Sequence, residues 1–489
     1  MTKKNSTPEI AVRPPIVAVL GHVDHGKTTL LDTIRKTTVA SREHGGITQH
    51  IGAYQVRLPE SENRLITFID TPGHEAFMAM RSRGAVAADI VLLVVAADDS
   101  VKPQTIESIR LITESKTPCI VVLNKMDLPT ANSEKVKKDL ARHGIQVEGF
   151  GGTIPLVEVS AKAATGIKNL LEMILLFYDD HAVTSVPHGQ FLGKVIETKI
   201  DKGKGMVATA IVYEGTAVRG LPLFVGTKDV GKIRAMNDEN GKQVSEALPG
   251  APIEIIGFGE LPPVGSELTS NPTNQIEEKP KDKKIPASFQ DFLSLTPVQK
   301  KLALIVKADT AGSLEAIVQA FGDEVDFVEA SVGDITEKDI LLAKSTGAFV
   351  IGFGVKEKQE IAKLAQTEGV IYRIYTIIYE LLDEVRDVVA GMEDVLVKER
   401  ELGKAVIIAE FPFNGERIAG SKVQSGRIAK GDQVKIMRGT EEIMRAKIKS
   451  LRRGKDDVSK AETGIECGVL FDKIVAFELD DAIIAFTRS

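Results

Sequence analysis

Short runs of apolar residues recur along the first third of the chain, at Ile16–Leu20, Leu65–Ile69, Ile90–Val95, Ile120–Leu123 and Leu156–Val159. The intervals between them are long enough for crossover helices, and this alternation from Ile16 to about Asp180 predicts a parallel α/β sheet. The pattern changes between about Phe191 and Leu268. There, short runs such as Leu192–Ile196 and Val207–Val212 lie between Gly and Pro turns and predict a small β-barrel. Leu302 to about Tyr375 returns to the α/β pattern. Ile377, Ile378, Leu381, Leu382, Val385, Val388 and Val389 then keep a helical spacing, interrupted at Gly391, that predicts a long connecting helix. From Lys404 onward, short strands with turns at Gly420, Gly426 and Gly431 predict a second barrel. The chain thus divides into a disordered tail (1–14), a P-loop α/β domain (15–182), a β-barrel (189–270), a linker rich in Pro, Asn, Lys and Glu (271–298), an α/β sandwich domain (299–375), the connecting helix (376–401) and a C-terminal β-barrel (402–489).

Composition narrows the function classes. A length of 489 residues alone suggests about three domains, one fewer than the pattern gives. With 43% hydrophobic and 27% charged residues, the chain reads as soluble and globular. Its net charge of -6 carries no global nucleic-acid signal, so any RNA surface must be local. One such patch exists: residues 421–460 hold 12 Lys/Arg against 5 Asp/Glu, a local balance of +7. Cys119 and Cys467 lie far apart and form no CxxC pair, which argues against a disulfide framework or a zinc site. The longest apolar run, Ile90–Ala97, is far short of the roughly 20 residues that span a bilayer, so no membrane role and a cytoplasmic location are expected.

The chemistry is concentrated in the first domain. Gly21-His22-Val23-Asp24-His25-Gly26-Lys27-Thr28 matches GxxxxGK[ST] between a strand and a helix. Its glycines let backbone N–H groups approach phosphates, Lys27 would reach the β- and γ-phosphates, and Thr28 would ligate Mg²⁺. Thr29 continues that helix. Asp70-Thr71-Pro72-Gly73-His74 places a carboxylate for Mg²⁺, a backbone N–H at Gly73 for the γ-phosphate and an imidazole to orient an attacking water. Gly45-Gly46-Ile47-Thr48 offers one further hydroxyl, Thr48, for the metal. Base choice is carried by Asn124-Lys125-Met126-Asp127 and Ser160-Ala161-Lys162. Asp127 can accept from the two donors that guanine presents, the Lys125 stem can cover the ring, and the Ala161 N–H can donate to guanine O6. In this order, at strand ends, the three motifs select GTP.

These strings also resemble a family, the translational GTPases, and among them bacterial-type translation initiation factor two. GHVDHGKTTLLDTIR, HGGITQHIGAY, DTPGHEAF, AADD and NKMD carry the likeness in the first domain. ETKIDKGKGMVAT, GKIRAMNDENG, LIVKADTAGSLEAI and SVGDITEKDILLA extend it through the next two. At the end of the chain, Ser450–Asp457 and Gly464–Gly468 are similar to the family's tRNA-binding barrel. The resemblance implies a factor that brings formylmethionyl initiator tRNA to the small ribosomal subunit, promotes large-subunit joining, works with other initiation factors as a monomer, and hydrolyses GTP on the ribosome. It implies that His74 positions the hydrolytic water, and that Arg452, Arg453, Lys455, Glu466, Cys467 and Gly468 hold the initiator tRNA's acceptor end. Three departures stand out. About 15 residues precede the GTPase motifs where the family has a long extension, Gly454 replaces an aromatic residue, and Val218–Pro222 replaces a GD-type turn.

Overall fold

The computed structural model describes residues 11–35, 48–180, 183–273, 301–397, 399–413, 416–439, 441–454, 456–473 and 475–488. The expected linker therefore lies almost wholly outside the described residues. The chain separates into two compact units, residues 1–384 and 385–489.

In the first unit the predicted runs form a six-stranded sheet, in the order Gly52–Leu58, Arg64–Asp70, Ile16–Gly21, Ile90–Ala96, Cys119–Asn124, Leu156–Glu158. Five of the strands are parallel, and their near-continuous apolar runs are buried on both faces by helices, as a parallel sheet requires. The edge strand Gly52–Leu58 is not among the predicted runs and pairs antiparallel with Arg64–Asp70. Its apolar residues alternate with polar ones, Tyr54, Val56 and Leu58 against Gln55 and Arg57, which is the pattern of a half-covered strand. The expected disordered tail is corrected at its end. Ala11–Val12 pairs with Thr184–Ser185, and Arg13 forms a buried two-point ion pair with Asp89 at 2.6 and 2.7 Å. An arginine fork matched to a carboxylate in this way fixes the chain that leads into the first strand.

The next region is a closed six-stranded barrel. The ring runs Pro222–Val225, Glu267–Thr269, Leu192–Asp201, Gly205–Glu214, Pro252–Phe258, Lys228–Asn237 and back to Pro222–Val225. Val195, Ala208, Val212, Ile233 and Ile255 fill its centre. The Val218–Pro222 turn closes through Gly220, at φ +90°, whose N–H meets the Ile233 carbonyl at 2.7 Å. A four-stranded parallel sheet follows, in the order Val325–Val332, Leu302–Ala308, Phe349–Phe353, Tyr372–Tyr375. Its crossover helices are Ala311–Phe321, Glu337–Thr346 and Gln359–Glu368. The connecting helix spans Ile378–Val397 and continues through Gly391 without the expected interruption. One exposed glycine costs a helix only about 1 kcal/mol, too little to end it.

The second unit contains another closed six-stranded barrel. The ring is Glu399–Phe413, Ala482–Arg488, Gln433–Arg438, Glu441–Arg453, Glu466–Phe471, Glu416–Ala429 and back to Glu399–Phe413. Ile407, Val423, Ile436, Ile448 and Val469 form its core. No helix among the described residues is long and apolar enough to cross a membrane.

Candidate nucleotide site and C-terminal surface

The P-loop backbone is shaped by two glycines. A Cβ at Gly21 (φ +144°) would stand 2.3 Å from the Val94 carbonyl oxygen, and one at Gly26 (φ +80°) would stand 2.5 Å from the Asn124 amide nitrogen. Any larger residue would push the loop off the strand beneath it. The Val23 N–H donates to the Gln104 side chain at 3.0 Å. His25, expected among the GTP-binding residues, turns its ring inward. It is fully buried, with Nδ1 3.4 Å from the Val94 carbonyl, and burial pushes its pKa down to about 4. A neutral buried ring supports the loop from beneath and leaves only the His25 backbone to the site. His22 is half-buried, while Asp24 and Thr29 are exposed. Lys27 Nζ donates to the Gly21 and His22 carbonyls at 2.8 and 2.6 Å. Burial pushes its pKa down to about 7, while Asp70 pulls the other way.

Two further segments meet the P-loop. Gly45, Gly46 and Ile47 lie outside the described residues, but the Thr48 hydroxyl is 2.8 Å from the Thr28 hydroxyl. Asp70 closes the strand Arg64–Asp70, and the Thr71 hydroxyl donates to the Val19 carbonyl at 2.7 Å. A Cβ on Gly73 would stand 2.6 Å from Lys27 Nζ, so this loop passes directly over the lysine. His74 caps the short helix Glu75–Phe77, with Nδ1 accepting the Ala76 N–H at 2.9 Å. In the neutral ring that bond assigns the proton to Nε2. Thr28, Thr48 and Asp70 together offer hydroxyl and carboxylate oxygens, the hard donors that suit Mg²⁺.

The base end is organised by Asn124. Its Nδ2 donates to the His25 carbonyl at 3.0 Å, and its Oδ1 accepts the Ala161 N–H at 3.0 Å. The Ala161 N–H, expected to meet guanine O6, is held by Asn124 in this structure, and Ala161 lines the base-side cleft. One amide side chain thus ties the phosphate loop to the base loop. Asp127 is exposed and accepts from the Ser160 hydroxyl at 2.6 Å, which holds its carboxyl below the usual range. The Ser160 oxygen in turn accepts the Ala163 N–H at 3.0 Å. Lys125 adopts a left-handed backbone (φ +61°), rare for a lysine, and its ammonium lies 4.0 Å from Asp98. Gly26, Thr29, Lys125, Asp127, Ala161 and Lys162 line a cleft of about 230 Å³.

Sequence reasoning missed Arg81. Its guanidinium is fully buried and donates to the Pro72 carbonyl at 3.1 Å, to the His74 carbonyl, and to Glu107 at 2.5 Å. A single cation therefore fixes the loop that carries His74. The signal was present: Phe77, Gly84 and Ala85 share a buried helix face with Arg81 at spacings of four, three and four residues. A lone arginine on such an apolar face is out of place unless it has a specific partner. Gln104 and Gln49 were likewise missed and give no comparable pattern.

In the C-terminal barrel Arg452, Glu466 and Gly468 share the outer face of two neighbouring strands, whereas Cys467 does not join them. Gly468 pairs in register with Arg452, which donates to Asp457 at 2.6 Å, and Glu466 lies 3.4 Å from Lys422. Arg453 is exposed, and Lys455 lies outside the described residues. Cys467, expected in the acceptor-end pocket, is instead 5% exposed in the barrel core, and burial pushes its thiol pKa up to about 11. Successive strand residues face opposite sides, so Glu466 outward sends Cys467 inward. Gly454 sits in a hairpin turn at φ +63°, a backbone that an aromatic residue would strain. The basic balance of this region is also partly cancelled by acids beyond it: Arg438 pairs with Glu478 and Asp481, and Lys460 with Glu462.

Comparison with known proteins agrees with this assembly. Residues 13–180 match the model of the elongation factor Tu GTP binding domain, 190–271 that of elongation factor G domain 2, and 277–386 that of translation-initiation factor 2. Translation initiation factor IF-2 of Aquifex aeolicus is 44% identical over 94% of this chain and 59% of its own length. The same factor from Caldanaerobacter subterraneus is 42% identical over 98% of this chain and 70% of its own. That from Thermoanaerobacter is 42% identical over 98% of this chain and 72% of its own. The chain thus spans between 59% and 72% of the length of these relatives. Its P-loop domain, two closed barrels and intervening α/β sheet make it a multidomain GTP-binding protein, and the chain belongs to the translation initiation factor IF-2 family.

Proposed function

We propose that this chain is a ribosome-stimulated GTPase of translation initiation, which recruits formylmethionyl initiator tRNA to the small subunit and promotes subunit joining. One observation carries the reading: Asn124 joins a phosphate-side pocket holding Lys27, Thr28, Thr48, Gly73 and His74 to a base-side cleft holding Lys125 and Asp127. In this reading Lys27 exchanges its bonds to the Gly21 and His22 carbonyls for the β- and γ-phosphates. Asp127 and the Lys125 stem select and cover guanine. Thr28, Thr48 and Asp70 would hold Mg²⁺, which would supply charge neutralisation on the phosphates. The Gly73 N–H meets the γ-phosphate, and His74, with its proton on Nε2, orients the attacking water by donating to its oxygen. Phosphoryl transfer needs little beyond such positioning and charge stabilisation.

The C-terminal barrel is the proposed seat of the initiator tRNA, with Arg452 and Arg453 meeting phosphates and Glu466 and Gly468 at the acceptor end. Cys467 contributes by packing beneath that surface. The test is GTP turnover by the full chain with ribosomes, with and without formylmethionyl-tRNA and messenger RNA. Turnover should rise strongly with ribosomes and respond further to the tRNA. Turnover indifferent to ribosomes would overturn the reading.

A further inference from the structure

The phosphate-side pocket has one wall that no nucleotide motif supplies. Alongside Lys27, Thr28, Thr48, Gly73 and His74 it is lined by Tyr379, from the first turn of the connecting helix. The rings of Tyr379 and His74 meet edge to face, with centroids 4.1 Å apart and planes at 68°. Phe77 stands on another side of the imidazole at 6.0 Å and 72°, and Ala76 N–H holds Nδ1. Of these three restraints, only Tyr379 comes from outside the P-loop domain.

The segment that bears Tyr379 is itself clasped to the nucleotide pocket. Gln49, buried at 6% exposure, donates to the Thr376 carbonyl at 2.8 Å and accepts the Ile378 N–H at 3.0 Å. Gln49 directly follows Thr48, whose hydroxyl lies 2.8 Å from that of Thr28. The contacts therefore form a closed circuit, from Thr28 through Thr48, Gln49 and the 376–379 segment to Tyr379, and back to His74 in the same pocket. The Gln49 bonds hold the backbone on either side of Ile377, next to Tyr379, and the Tyr379 ring rests against the His74 ring.

We propose that Tyr379 is a positioning residue for hydrolysis, holding the His74 imidazole against the γ-phosphate side of the pocket; this rests on the reading of His74 as the group that orients water. The aromatic ring does this work and the phenol hydroxyl does not. An edge-to-face aromatic contact corresponds to about a two- to tenfold effect on the population of the held orientation. Ribosome-stimulated, single-turnover hydrolysis at saturating GTP should therefore fall about two- to tenfold in Tyr379→Ala and Tyr379→Leu, with GTP affinity unchanged. Tyr379→Phe should recover the rate. Histidine-selective NMR of the full chain provides a second readout. The His74 signal, identified by its loss in His74→Ala, should shift in Tyr379→Ala and return in Tyr379→Phe.

Wild-type turnover in both ring-less variants, a rate in Tyr379→Phe as low as in Tyr379→Ala, or an unmoved His74 signal would each overturn the assignment. Wild-type turnover in His74→Ala would be a different failure, seen without touching Tyr379. It would remove the functional reading of His74 and this inference with it.

Discussion

In the P-loop domain the candidate side chains sit at strand ends, on the loops that follow them and in the first turn of one helix, and most of them touch one another or a shared anchor. Thr28 meets Thr48, Asn124 meets the His25 carbonyl and the Ala161 amide, and Ser160 meets Asp127. In the C-terminal barrel the candidates lie along paired strands, and the pleat divides them, with Arg452 and Glu466 outside and Cys467 in the core. Loops can gather consecutive residues into one site, whereas a strand cannot turn two neighbours the same way. A contiguous motif is therefore good evidence for a site on a loop and poor evidence for one on a strand.

The sharpest way to break this contrast is His74→Ala. If the loop constellation is the chemical site, ribosome-stimulated turnover should fall by about 10²–10⁴-fold while GTP binding stays within a few-fold, measured by single-turnover hydrolysis and equilibrium binding. A smaller structural effect is expected at Arg81. Arg81→Leu strands Glu107 and the Pro72 and His74 carbonyls, and should cost about 3 kcal/mol, the low end for a broken buried pair because Glu107 is partly exposed. The measurement is the urea unfolding midpoint, and a change under about 0.5 kcal/mol, the range of ordinary surface substitutions, would count against the anchor.

Asp127→Asn should weaken GTP by about 1.5–3 kcal/mol, the worth of a charged hydrogen bond, and favour xanthosine triphosphate in competition binding. Unchanged preference would mean that another group reads the base. The smallest effect belongs to the strand surface. Arg452 already pairs with Asp457, so Arg452→Ala should weaken formylmethionyl-tRNA by no more than about 1 kcal/mol and flatten the salt dependence of filter binding. A loss of a hundredfold or more would show that this strand is as focused a site as the loops.

Much of this was legible in the sequence, and the divisions are physical ones. Fully buried parallel strands announce themselves as apolar runs, so Ile16–Gly21, Ile90–Ala96 and Cys119–Asn124 were found almost to their ends. Gly52–Leu58 was missed because an edge strand covered on one face has only a weak alternation. The phosphate and base motifs were readable because their chemistry demands particular residues at fixed spacings. What holds them was not, since Asn124 bonding to Ala161, or Gln49 to Ile378, joins residues distant in sequence through side chains that suit many surroundings. Charge counting in the 421–460 window also overstated the basic patch, because Arg438 is answered by Glu478 and Asp481 from beyond it.

The bond from Gln49 to Ile378 has a consequence for how the chain is made. Its two ends are separated by 329 positions, so during synthesis the glutamine leaves the ribosome long before its partner is polymerised. Domains generally fold as they emerge, the N-terminal one first. If the P-loop domain of this chain follows that order, the amide of Gln49 is in place before Thr376–Ile378 arrives, and the start of the connecting helix meets a bonding partner as it forms. Substitution of Gln49 should therefore delay the protease resistance of nascent chains that extend past Val397, while leaving shorter chains, halted before Thr376, as resistant as wild type.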